Sequence, residues 1–203
     1  HPLMNKFLLM ALPLMIGQSV VVLDEQFVRI FGSMAGDGAV SLLNYARRIM
    51  MVPVGVVAQA AGVASFPFLA ALAAKGDMEQ FRFTLNRTMK NSMMVAVPVA
   101  AWMITASGPV LGFIFEGGSF STSHTSGAAP LLQIMLLAVP FWLLQQVTGR
   151  AFYAMQDTVT PAVVGTAATL LAVPGYILLV PVLGAKAVAL VTTASIALYA
   201  IAL

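Results

Sequence analysis

Asn44-Tyr45-Ala46-Arg47-Arg48-Ile49-Met50-Met51-Val52-Pro53 heads a run in which no residue from Ile49 to Ala74 is charged. An α-helix needs about 20 predominantly apolar residues to cross a bilayer, and this stretch exceeds that. The two guanidinium groups at its head are expensive in such a setting, about 2.5–3.5 kcal/mol each at mid-membrane. Headgroups, internal partners or an anionic substrate must compensate them. The rest of the chain has the same character: 60% of its residues are hydrophobic and 8% charged, with a mean hydropathy of +0.95. A soluble domain carries roughly a quarter charged residues. In lipid every backbone polar group must be satisfied internally, which leaves helices or closed barrels. Runs this long and without alternation are helices. The sequence predicts an all-α, polytopic transmembrane helix bundle.

Working outward, charges and turn residues divide the chain into six spans, near 7–31, 41–73, 91–115, 126–152, 160–182 and 186–203, read as a single transmembrane lobe over 1–203. The second is long enough to kink at Pro53 and Pro67. Between the second and third, Phe81, Leu85 and Met89 recur at i, i+4, i+8, which predicts an interfacial amphipathic helix leading into the third span. Glu116-Gly117-Gly118-Ser119-Phe120-Ser121 is a tight polar loop. Asp157-Thr158-Val159-Thr160-Pro161 reads as a helix start with threonine as N-cap and proline at the first helical position. With the N-terminal end inside, the inner loops hold Lys6, Lys75, Arg82, Arg87, Lys90 and Arg150, against Arg47, Arg48 and Lys186 outside. Positive-inside counting therefore places the N-terminal end in the cytoplasm. The chain begins at His1 and stops inside the apolar run Ala197–Leu203, so it reads as a piece of a longer protein.

Cysteine is absent, which excludes disulfides, thiolate metal sites and cysteine nucleophiles. The net charge of +3 is small and sits mostly in loops, arguing topology rather than nucleic-acid binding. No paired carboxylates, HExxH motif or serine with a plausible base is present, so the chain reads as a non-enzyme. Polar residues inside the spans are therefore the candidates for function. In the first span Gln18, Glu25 and Arg29 share a stripe at 100° per residue, Asp24 lies about 100° off it, and Glu25 and Arg29 have ion-pair spacing. The pair is either a self-neutralising structural bridge or part of a water-filled cavity wall. In the second span Ser41, Arg48, Gly55, Gln59 and Gly62 share a face, while Arg47 points about 100° away. Arg48 suits bidentate phosphate recognition; snorkelling to headgroups is the alternative, and it fits Arg47 better. Gln145, Gln146, Thr148 and Arg150 read as a solvated helix end, and His124 as a solvated loop residue.

Four stretches resemble the MurJ/MviN lipid II flippases of bacteria. Arg150-Ala151-Phe152-Tyr153-Ala154-Met155-Gln156-Asp157-Thr158-Val159-Thr160-Pro161 is similar to that family's RAFYAxxDTxTP signature. Asn44-Tyr45-Ala46-Arg47-Arg48-Ile49-Met50 resembles its YYADRLM segment, Phe115-Glu116-Gly117-Gly118-Ser119-Phe120-Ser121 its FERGAFT loop, and Gly76-Asp77-Met78-Glu79-Gln80-Phe81-Arg82 its GDLEEFR connection. The motifs keep the family's order across nearly the whole chain.

The resemblance implies a fourteen-helix parent in which these spans are helices seven to twelve, the second lobe, with the N-terminal lobe and the last helices absent. It implies a multi-pass protein of the bacterial cytoplasmic (inner) membrane. Its partners would be an undecaprenyl-pyrophosphate-linked peptidoglycan precursor, membrane lipids and the missing N-terminal lobe, and it would flip that precursor by alternating access. Arg48 matches the family's cavity arginine, with Arg29 as a second cation and Glu25, Gln18 and Gln59 lining the same cavity. Arg47 stands where the family has aspartate, and Gly117 where its loop has arginine. Some members hold sodium between helices seven, eleven and twelve; the matching positions are Val28, Ala172 and Tyr176, so no cofactor and no sodium site of that kind is expected. The competing readings are a related exporter of another polyprenyl-linked saccharide or of drugs, and a non-transporting scaffold or degenerate copy.

Overall fold

The structure, a computed structural model, describes residues 25–117 and 120–203, the side chains of Ala58 and Gln59 excepted. Lys6, Gln18 and Asp24, with most of the first expected span, lie outside the described residues. Helix α1 is described over 25–34. A turn with Gly36 at φ 119° and Gly38 at φ 78°, backbone that only glycine adopts without strain, leads into α2 (Ala39–Pro53). A π-helical turn (Val54–Ala58) and α3 (Gln59–Lys75) follow. Then come α4 (Met78–Thr105), α5 (Ser107–Phe115), α6 (Thr122–Leu136), α7 (Val139–Ala154), α8 (Val159–Leu183) and α9 (Ala185–Ala202). The expected all-α membrane fold is the one observed. Ala39–Lys75, α8 and α9 are each long and apolar enough to cross a membrane, as are the bent pairs α4–α5 and α6–α7 taken together.

Three breaks in these spans have a proline in common. Pro53 has no N–H to offer the carbonyl of Ile49, four residues back, and its ring crowds that carbonyl. The i→i+5 turn that follows, Val54–Ala58, absorbs the mismatch. Pro109 does the same to Thr105, where α4 turns into α5 by 73°. Pro140 does it to Leu136, where α6 turns into α7 by 42°. The interfacial helix expected before the third span is not separate: α4 is one unbroken helix of 28 residues, and the bend falls at Ala106. The cap on α8 also differs from the sequence reading. Thr158 occupies the N-cap without a side-chain cap bond and Pro161 sits in the third helical position. Asp157 instead accepts from Val159 N, Thr160 N and Thr160 Oγ1 at 3.1, 2.9 and 2.6 Å.

The main core is formed where α2, α4, α6, α7 and α9 meet, with α1 and α8 closing one side. Ala39, Leu43, Ala46 and Met50 fall at i, i+4, i+7 and i+11 and form the buried stripe of α2. It faces Ala128, Leu131, Leu132 and Met135 of α6. In a bilayer helix–helix association rests on close packing rather than on expulsion of water, and small residues permit it. A Cβ on Gly127 would stand 3.1 Å from Leu42 Cδ1, and one on Gly165 of α8 would stand 3.0 Å from the Tyr199 ring of α9. The outward surface is apolar: Phe113, Val182, Met94 and Ile201 are among the most exposed large side chains.

Asp157 offers a direct check on this fold. Hydrogen bonds from the Thr160 hydroxyl and backbone hold its carboxyl below the usual carboxylate range. A depressed folded-state pKa stabilises above the unfolded value and is lost as pH falls through the folded one. Asp157→Ala should lower the stability of the detergent-solubilised protein by about 1 kcal/mol at neutral pH. The gap between variant and parent should close on acidification below the carboxylate range. Identical thermal unfolding midpoints at pH 7 would refute the capping role.

Candidate functional site

Arg48 lies on the face of α2 opposite its packing stripe. Ser41, Arg48, Val52 and Gly55 are exposed, whereas Leu43, Ala46, Ile49 and Met50 are buried. Arg48 has no hydrogen-bond or ion-pair partner among the described residues. Its neighbour Arg47 is half-buried and is not free. The helix carrying both is braced by Tyr45, a surface neighbour of Arg48 three residues earlier, whose ring meets Phe115 at 4.8 Å and Phe120 at 4.6 Å, both edge-on. Phe120 in turn lies 5.4 Å from His124. His124 is not merely solvated: its Nδ1 accepts from Ser121 N at 3.1 Å and lies 2.8 Å from Ser121 Oγ, a capping box at the start of α6. The loop before α6 and the arginine-bearing turn of α2 are thus one packed unit.

On α1, Arg29 Nη2 donates to Glu25 Oε1 at 2.7 Å. Both side chains are about half exposed, at 53% and 46%, so the pair neutralises itself without burial. The structure therefore brings Glu25 and Arg29 together and leaves Arg48 as a separate cation with no partner among the described residues. Gln18 and the side chain of Gln59 lie outside the described residues.

The stripe expected on the second span does not run straight. An i→i+5 turn takes in more residues per turn than an α-helix, so five such residues shift the facing direction by roughly a quarter turn. Ser41, Arg48 and Gly55 stay on the exposed face, but Gly62, beyond the π turn, is buried. What covers it is Arg150 of α7. A Cβ on Gly62 would stand 2.9 Å from Arg150 Nη1 and 3.0 Å from its Cζ. Arg150 is consequently no solvated helix end. It is half-buried, partnered and four residues inside the end of α7. Sequence reasoning missed this contact because Gly62 and Arg150 belong to different spans, and an isolated glycine gives no sign of what lies over it.

Val28, Ala172 and Tyr176, where the sequence reading places no sodium site, are packed together in the core. Tyr176 is 1% and Val28 2% exposed. The Tyr176 ring stacks on Phe31 with centroids 4.7 Å apart and planes 8° apart, and its hydroxyl lies 2.8 Å from Thr192 Oγ1. Two aromatic rings and an aliphatic side chain fill this place, and no carboxylate is among these residues. Among the described residues no group of three or more His, Cys, Asp or Glu is placed to hold a metal ion.

The family model described as lipid II flippase MurJ matches residues 1–203. A probable lipid II flippase MurJ of Rhizobium meliloti (strain 1021) is 30% identical over 188 residues, covering 93% of this chain and 35% of its own. One from Rhizobium tropici is 29% identical over 189 residues with the same coverage. The chain spans about a third of the length of these curated relatives. Among solved structures, a lipid II flippase MurJ in an inward closed conformation superposes with a TM-score of 0.80 at 24% identity, covering 92% of this chain and 39% of that one. A MOP superfamily transporter from Pyrococcus furiosus, titled for the reverse polarity of its binding pocket, superposes at 0.83 with 16% identity, covering 97% and 43%.

Proposed function

The chain belongs to the lipid II flippase MurJ family, and on that premise we propose that it forms one lobe of a flippase for a lipid-linked peptidoglycan precursor. The observation that carries the reading is Arg48: exposed, without a partner among the described residues, and on the face of α2 opposite its packing stripe. A lone cation in a chain so poor in charge is costly unless it serves an anion. A planar guanidinium can bond two oxygens of a pyrophosphate at once. Arg29 would act as the second cation of the cavity once Glu25 gives way, with Glu25, Gln18 and Gln59 on its wall and Arg47 at its mouth. The N-terminal end of the chain would face the cytoplasm. The packed aromatic cluster around Tyr176 supports a lobe that moves without a sodium ion at that place.

Alternating access moves one lobe against another around a shared site, so the activity belongs to the full-length protein. A drug exporter would present carboxylates to cationic cargo, whereas Arg48 presents the opposite charge. The discriminating experiment is competition on the purified full-length protein. A soluble pyrophosphate-sugar headgroup should displace a labelled lipid-linked precursor, and an organic cation should not. The reverse order of displacement would overturn the reading.

A further inference from the structure

Arg87 and Lys90 lie in the polar first half of α4. The pair α4–α5, bent by 73° at Ala106, is long and apolar enough to cross a membrane when taken together. Its uncharged stretch runs from Asn91 to Phe115, and about 20 such residues cross the hydrocarbon. Arg87 and Lys90, the last charges before that stretch, therefore sit at the lipid boundary. Both are exposed and neither has an ion-pair partner among the described residues.

Beside them a cleft of about 310 Å³ opens between α3 and α4. Ala64 and Phe68 of α3 give it an apolar wall, and Thr84, Thr88 and Asn91 of α4 a polar one. Thr88 donates to Thr84 O at 2.9 Å, which uses up its hydroxyl proton. Thr84 and Asn91 have no side-chain hydrogen bond among the described residues, so their donors are available. Thr84, Arg87 and Asn91 stand at i, i+3 and i+7, one narrow stripe of the helix. Lys75 lies seven residues beyond Phe68, about 20° from it in helical phase, at the same end of the cleft as the start of α4.

We propose that this cleft binds an anionic phospholipid of the surrounding bilayer, its phosphate on Arg87, Thr84 and Asn91 and an acyl chain along Ala64 and Phe68. The choice of an anionic lipid rests on charge. Between residues 75 and 90 four cations, Lys75, Arg82, Arg87 and Lys90, face only Asp77 and Glu79. Asp77 caps the helix through Gln80 N, and Asp77 and Glu79 lie about three and about two turns from Arg87. A zwitterionic headgroup would bring its own ammonium into this excess of positive charge, whereas phosphatidylglycerol adds only the anion.

The test uses the full-length protein in detergent, with retained lipid counted by native mass spectrometry. Phosphatidylglycerol should be retained in preference to phosphatidylcholine. The double variant Arg87→Gln with Asn91→Leu should reduce that preference about fivefold, the effect of roughly one cation near a membrane surface. Arg82→Gln, which removes a charge from the opposite side of α4, should leave it within twofold. Arg87→Lys keeps the charge and should keep most of the binding, separating loss of the site from loss of the fold. Equal retention of the two lipids by the parent would overturn the proposal, as would a double variant that binds like the parent. Stronger retention of a polyprenyl pyrophosphate than of phosphatidylglycerol through the same residues would also overturn it, by giving the cleft to the transported lipid.

Discussion

Replacing Arg48 with alanine in the full-length protein abolishes complementation of a flippase-depleted strain, while the protein still inserts and accumulates in the membrane. The expectation follows from placement. Arg48 contributes nothing to the packing of α2, whose stripe is Leu43, Ala46 and Met50, so its loss should leave the fold intact. A charge-assisted hydrogen bond contributes about 1.5–3 kcal/mol. Losing even one weakens precursor binding by roughly 10- to 100-fold, and losing a bidentate pair by more. Arg48→Lys retains the charge but not the fork, and should grow slowly rather than normally. Unimpaired growth of Arg48→Ala would sink the assignment. Full growth of Arg48→Lys would reduce it to a point charge. Because Arg29 is tied to Glu25 at 2.7 Å, it cannot simply take over the role.

Tyr176→Ala should be the most damaging single substitution to stability. The side chain is 1% exposed, stacked on Phe31 and hydrogen-bonded to Thr192. Truncating a buried aromatic leaves a cavity and costs about 3 kcal/mol, the low end of the range measured in soluble cores. The low end applies because lipid already supplies the apolar surroundings and only packing is lost. Tyr176→Phe keeps the stack and loses one hydroxyl bond, an effect of about 1 kcal/mol. Thermal unfolding of the purified full-length protein in detergent would separate the two variants. If both melt together with the parent, the cluster around Phe31 is not what holds α1 against α8.

The overall class was legible because membrane folding leaves few alternatives: long uncharged runs and scattered proline dictate broken helices. Pro53 marked a kink in advance, and the structure has a π turn directly after it. Pro109 and Pro140 carried the same signal, but which of several prolines bends its helix depends on what neighbouring helices do for the freed carbonyl. Pro67 and Pro98 remain inside continuous helices. At the site, helical phase alone separated Arg48 from Arg47, and the exposed and half-buried positions of the two follow that separation. The phase argument failed farther along, at Gly62, because it assumes a uniform 100° per residue. The Arg150 contact was out of reach for a different reason. It joins residues 88 positions apart, and nothing in either local sequence encodes the crossing of α3 and α7.

The π turn also changes how this span should be lined up with others. Helices of equal length in two sequences are matched residue for residue only if both wind alike. At Val54–Ala58 the chain carries, in effect, one residue more than an α-helix would use to cover the same rise. A comparison that refuses a one-residue gap there would set Arg48 against its true counterpart and then misassign every wall-facing position through Lys75. Placing that gap correctly is what decides whether Gly62 is set against a residue that lines a cavity or against one lying under the guanidinium of another helix.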